Sequence, residues 1–332
     1  MRSTLTKAAV LVAGLATFVT LGGTAQADPG AGVTPATTDL VGVGSDTTQG
    51  LLNTLGNLYN TKTPAPANKV YSWDATGSAT ITPKSGAPTI TRPNGSGAGV
   101  AALIADGTTH NLDFARSSSG PKTDGSQANY AFIEFARDTV TYATATTSSV
   151  PTTLTTLALN KLYGSAAGSV DCNRNAYLPQ AGSGTRSFFL ASIGLTTPGT
   201  CAKDTFAGAP VQEHSAAPLV GDPNAVAPFS VGRAIGLAGI KVNTIDDSVR
   251  PTGKAPAVTA RVSPTTGQTV TSGGVVAYDR PLFNVIRKAD KTVAKFSGFF
   301  GSLGYICTNA NAKAAIDAAG FRRAPGCGTD RN

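Results

Sequence analysis

The sequence predicts an α/β protein of two lobes, each a mixed sheet flanked by helices. Three observations point that way. The chain repeatedly runs from an apolar stretch into a hydroxyl-rich turn, at residues 44–48, 94–99, 116–121 and 180–185, and a helical pattern follows the first, second and last. Such turns at strand C-terminal ends are where open α/β sheets gather ligands. Without its leader the chain keeps roughly 300 residues, which suits two cores better than one.

Arg2 and Lys7 precede an apolar run over residues 8–21, too short to span a bilayer, and Ala25-Gln26-Ala27 offers a small-residue cleavage site. Residues 1–27 read as a secretory signal peptide cleaved after Ala27, with no cysteine at the cut to carry a lipid anchor. A secreted, extracellular protein is therefore expected. The formal charge of +8 falls to +6 once Arg2 and Lys7 leave. Lysines and arginines are scattered, which argues against nucleic acid, while a mild positive field favours anionic ligands. Residues 28–38 read as a flexible leader. One lobe is expected from 39–135 and 276–332, the other from 136–275.

In chain order, residues 40–43 read as a short strand. A helix follows with Leu51, Leu52, Leu55, Leu58 and Tyr59 on one face. Residues 70–73 and 112–115 read as strands, with a Thr/Pro/Gly-rich excursion over 76–92 between them. Residues 132–142 alternate apolar and polar side chains without a breaker and read as a long strand between lobes. A helix carries Leu154, Leu157, Lys161 and Leu162. Residues 224–237 read as a helix leading into a strand through Gly232, and 258–262 and 275–278 as strands. Residues 280–286 form a return crossing. A last long helix places Val293, Phe296, Phe300 and Leu303 on one face, and residues 312–319 close the chain. Trp73, Phe299 and Phe300 read as core. His214, Lys62, Lys69 and Lys84 read as solvated.

Residues 180–194 carry the most chemistry. Gly182, Ser183 and Gly184 make an unhindered turn, Ser183 or Thr185 can cap the helix that follows, and Arg186 adds charge to its positive end. Backbone N–H groups, hydroxyls and a guanidinium within a few residues suit an anion. Ser45, Asp46 and Thr47 stand at the start of the first helix, Ser96 at the start of the second. Cys172, Cys201, Cys307 and Cys327 suit disulfides in an exported chain. Three pairings are possible; the local one, 172–201 and 307–327, closes one loop in each half, at about 3–4 kcal/mol per bridge by loop entropy. With no CxxC pair and only His110 and His214, neither a metal site nor a cofactor is expected.

The order of these motifs resembles the phosphate-binding protein of bacterial ABC phosphate transporters, within the type II periplasmic binding proteins. The matching stretches are Gly42-Val43-Gly44-Ser45-Asp46-Thr47, Asn94-Gly95-Ser96-Gly97-Ala98-Gly99, Asp113-Phe114-Ala115-Arg116-Ser117-Ser118, residues 154–164, Gly182-Ser183-Gly184-Thr185-Arg186 and residues 277–287. The resemblance spans most of residues 39–305. It implies two lobes closing on a dehydrated oxyanion, inorganic phosphate or a relative, with Ser45, Asp46, Thr47, Ser96, Ser118, Ser183, Gly184 and Thr185 around it. It also implies an ABC permease as partner, a monomer, and no catalysis. The chain departs from the family pattern twice: Ser118 stands where the family has a proton-accepting aspartate, and Pro179 where it has an arginine. Arg186 is expected to replace the charge and Asp46 or Asp113 the acceptor, with Asp113 the more structural of the two. Two other classes compete. Ser119-Gly120-Pro121-Lys122 has the SxxK spacing of serine hydrolases. A secreted cell-wall or adhesion protein that keeps the fold without the ligand is the other.

Overall fold

The computed structural model describes residues 28–30, 32–251, 260–262, 269–271 and 278–332. The expected signal peptide, and most of the strand expected at 275–278, lie outside the described residues. A ten-stranded sheet runs through the molecule in the order Val70–Ser72, Leu40–Gly44, Phe114–Ser117, Asp279–Arg287, Tyr130–Ala145, Ala225–Ser230, Asn175–Tyr177, Ala202–Lys203; Ile240–Val242 and Arg322–Arg323 also pair with Tyr130–Ala145. Leu40–Gly44 is parallel to both neighbours, whereas Asp279–Arg287 is antiparallel to both of its own.

Two strands join the lobes. Tyr130–Ala145 puts Phe132, Ile133, Phe135 and Ala136 into the first-lobe core and Val140, Tyr142 and Ala143 into the second. Asp279–Arg287 returns beside it, with Leu282, Phe283, Val285 and Ile286 in the first core and Tyr278, just before it, in the second. Their register shifts between Leu282 and Phe283, where a bulge sharpens the twist. The polar residues of the expected alternation do not face water: Glu134 and Asp138 are each 1% exposed. Helices and neighbouring strands cover both faces, so ion pairs replace solvent: Arg137 and Arg331 for Glu134, and the buried Arg280 for Asp138.

The helices Gln49–Asn60, Ser96–Asp106, Thr156–Gly164 and Gly184–Ser192 follow the expected spacing, burying Leu51, Leu52 and Leu55 in the first and Phe189 and Leu190 in the last. Thr155 and Ser183 cap their helices, accepting from Ala158 N and Arg186 N.

Several expectations are corrected. Residues 224–237 hold a strand first, Ala225–Ser230, then one helical turn, Val231–Ala234. The strand lies between two others and is buried throughout, so it shows no period-two signal. The third strand is Phe114–Ser117, not 112–115, because pairing with Gly42–Gly44 and Phe283–Val285 continues through Arg116. The last long helix stops at Phe300; Leu303 is 91% exposed, and Tyr305–Thr308 begins a separate turn. The leader is docked rather than loose: Asp28 pairs with Arg92 Nη1 at 2.8 Å, and Pro35 O accepts from Ser85 N. Lys84 is buried against Asp113 Oδ2 at 2.6 Å, and Trp73 is half-buried beside the first core. The disulfides are 172–201 and 307–327, with Cα separations of 5.3 and 5.6 Å. Among the described residues no helix is long and apolar enough to cross a membrane.

Phe299 is fully buried and its ring meets those of Tyr59 and Phe300 at 4.9 Å each. Phe299→Ala should cost about 3–5 kcal/mol in urea unfolding, and Leu303→Ser less than about 0.5 kcal/mol. Equal losses would contradict this core.

Candidate functional site

The strand–turn–helix units bring their turns together where the lobes meet. Ser45 Oγ donates to Ser118 Oγ at 3.3 Å, Ser96 Oγ and Ser118 Oγ lie 3.1 Å apart, and Ser118 N donates to Ser96 Oγ at 3.0 Å. The start of the helix Gly184–Ser192 rests on this trio. A Cβ on Gly184 would sit 2.3 Å from Ser118 Oγ and 2.7 Å from Ser96 Oγ, so any larger residue would push these hydroxyls aside. Gly95 has φ +98°, open to glycine at little cost, and Gly97 N reaches across to Gly182 O at 3.2 Å.

A second group lies beside the trio. Thr47 Oγ1 donates to Glu213 Oε1 at 3.0 Å, Thr185 N donates to the same oxygen at 3.2 Å, and Thr185 Oγ1 donates to it as well. Arg280 Nη2 donates to Thr185 Oγ1 at 2.8 Å and Thr47 Oγ1 at 3.3 Å, while its Nε and Nη2 hold Asp138 Oδ2 at 3.0 and 2.8 Å. Arg280 Nη1 and Glu213 Oε2 are buried and have no hydrogen-bond partner. Phe188 covers the guanidinium at 5.6 Å.

Arg116 braces the first-lobe turn. Its Nε donates to Ser45 O at 3.0 Å, Nη2 to Gly44 O at 3.2 Å and Nη1 to Trp73 O at 2.8 Å. Burial pushes its pKa down to about 10, against the pull of Asp74 and Asp46, so it stays cationic at neutral pH beneath the hydroxyls.

Of the residues the sequence singled out, Ser45, Thr47, Ser96, Ser118, Gly184 and Thr185 converge here. Ser183 is beside them with its hydroxyl committed to the helix cap. Arg186 does not join. Its Nη1 donates to Pro179 O at 2.8 Å and pairs with Asp204 at 3.5 Å, because its place on the helix turns it outward. Asp46 points to His214 Nδ1 at 2.8 Å and Arg233 Nη2 at 3.4 Å, and Asp113 to Val41 N at 2.8 Å and Lys84. Neither expected acceptor faces the hydroxyls. His214, expected in solvent, is 6% exposed. Ser119–Lys122 runs through an irregular segment, without the helical turn the SxxK spacing requires. Among the described residues no group of three His, Cys, Asp or Glu is arranged to hold a metal ion. The sequence reading missed Arg280, Asp138 and Glu213. A charge inside the apolar return strand was the one available signal, and nothing in the spacing marked Glu213.

No family model matches the sequence, and no match is found among curated proteins. Solved structures do match. One is an ABC-type phosphate transport receptor from Vibrio cholerae, 18% identical, covering 86% of this chain and 99% of its own, with a TM-score of 0.53. Another, from Clostridium perfringens, is described as a phosphate ABC transporter substrate-binding protein with bound phosphate; it is 13% identical, with coverages of 86% and 99% and a TM-score of 0.56. The chain has the two-lobed type II binding-protein fold. In this binding-protein fold the serine trio and the two threonines lie at the meeting of the lobes.

Burial alone raises the Asp46 pKa, but the hydrogen bond to His214, with the charges of Arg233 and His214, outweighs it and holds the carboxyl below its ordinary 3.8. A depressed folded pKa stabilises above 3.8, and that stability is lost as pH falls through the lower folded value. Asp46→Asn should therefore lower stability by about 1–3 kcal/mol at pH 7, with the gap from wild type narrowing as pH falls below 3.8. Thermal melts across this range check it; a gap unchanged at low pH would rule out the ion pair as its source.

Proposed function

We propose that the protein is a secreted, monomeric solute-binding protein that captures a tetrahedral oxyanion, inorganic phosphate foremost, between its lobes for uptake by an ABC permease. One observation carries the reading. A buried carboxylate oxygen, Glu213 Oε1, accepts from Thr47 Oγ1, Thr185 Oγ1 and Thr185 N, donors drawn from both lobes. A phosphate oxygen makes the same demand on its surroundings: several short donors, no water and a nearby cation. Arg280 supplies the cation, and the first turn of the helix Gly184–Ser192 adds its positive end. The fold shared with the two phosphate receptors supports this reading, as does the signal-peptide pattern of residues 1–27. The role is capture without turnover.

Asp46 and Asp113 are committed elsewhere, so neither is placed to take the proton of hydrogen phosphate and turn sulfate away. A second reading, a cell-wall or adhesion protein without a transported ligand, is favoured by one fact: the donors already have an internal anion in Glu213.

Calorimetric titration of phosphate, arsenate and sulfate into the mature protein tests the proposal. Affinities within about tenfold of each other are expected, since the acceptor bond that separates them, worth about 1.5–3 kcal/mol, is missing. Ser96→Ala and Thr185→Ala should each weaken binding about tenfold, and Arg186→Ala less than about twofold. Equal losses from all three variants would mean that general charge, and not the cleft, binds the ion.

A further inference from the structure

The geometry points to Glu213 as a tethered occupant of the oxyanion site: the arm 211–215 closes the lobes on its own carboxylate, and an external oxyanion binds by displacing it. The identity of the external ligand rests on the reading above; the closure does not.

Glu213 is 4% exposed in a segment otherwise poor in charge. A buried carboxylate is retained only where donors compensate its desolvation. Here the compensation is one-sided: Oε1 takes three bonds and Oε2 none. Asp138, in the neighbouring ion pair, has Ser230 on one oxygen and Arg280 on the other. Arg280 shows the matching shortfall, because it spends Nη2 on the threonine hydroxyls and leaves Nη1 unbonded. The donor set is built for an anion richer in acceptors than one carboxylate oxygen.

The arm crosses between lobes on both sides of Glu213. Before it, Gln212 Oε1 accepts from Asn94 Nδ2 at 2.7 Å. After it, His214 Nδ1 meets Asp46 Oδ2 at 2.8 Å. Glu213 N itself donates to Gln180 Oε1 at 3.0 Å, and Gln180 Nε2 donates to Asn94 Oδ1 at 2.9 Å. His214 holds φ +60°, a conformation that a non-glycine residue adopts only where its surroundings compel it. The arm is thus drawn in by contacts that reach the other lobe.

An oxyanion cannot simply be added beside it. Gly184 already rests against the serine hydroxyls, where a Cβ would sit 2.3 Å from Ser118 Oγ and 2.7 Å from Ser96 Oγ, so the two turns are in contact as they stand. A dianion next to the Glu213 carboxylate would also face like charge among buried side chains. Binding therefore requires the lobes to part and the carboxylate to leave, and affinity is set by competition with a group of high effective concentration.

Phosphate calorimetry and small-angle scattering on wild type, Glu213→Ala and Glu213→Gln test this. Glu213→Ala should bind inorganic phosphate at least about tenfold more tightly than wild type. Before phosphate it should have a larger radius of gyration than wild type, and phosphate should reverse the difference. Glu213→Gln, which keeps an acceptor oxygen and loses the charge, should fall between them and guards against a misfolded alanine variant. Weaker phosphate binding by both variants would overturn the inference and make Glu213 a direct ligand contact. Unchanged affinity and unchanged radius would overturn it too. Expansion of Glu213→Ala with no phosphate binding by any of the proteins would uphold the arm and defeat the oxyanion reading.

Discussion

A guanidinium removed from water must be given partners, and the placing of Arg280 organises the molecule around that demand. It is 1% exposed and holds Asp138, itself 1% exposed, across the two strands that join the lobes. Breaking such a pair by removing one partner leaves a bare charge in low dielectric, a loss of about 3–5 kcal/mol. Ser230 Oγ fixes the other oxygen of Asp138 at 2.7 Å, so the pair cannot rotate. The same Nη2 that holds Asp138 also reaches one threonine from each lobe. The crossing point and the cleft are one place, and motion of either strand there is motion of the site.

The layout of the fold was legible where local rules decide structure. Apolar spacing at Leu51, Leu52 and Leu55, the cap at Ser183 and the glycine turns each act over a few residues, and they gave helices and turns in the right order. The strand Ala225–Ser230 was not legible because it lies between two others and carries no alternation. Lys84 looked like a surface charge because nothing nearby in sequence balances it; Asp113, across the fold, does. Tertiary partners also reversed the reading of His214, whose carboxylate lies 168 positions away in Asp46.

The site was half legible for the same reason. Hydroxyls at helix starts are set by the chain around them, so Ser45, Thr47, Ser96 and Thr185 could be named. The cation was assigned to Arg186 because it adjoins the loop. Yet residues adjoining in sequence diverge around a helix, and Arg186 ends against Asp204. Arg280 arrives from a distant strand whose charge had no local explanation. Glu213 sits in an irregular stretch with no periodicity, and only the folded chain reveals what it meets.

The two disulfides bear on how the molecule divides rigidity between its halves. Cys172–Cys201 fastens a loop beside the second core, and Cys307–Cys327 ties the closing helices to the chain end. Each cross-link joins two segments of one lobe, and neither bolts one jaw to the other. Covalent armour is spent on each half separately, which leaves the mouth to be governed by reversible, polar forces alone.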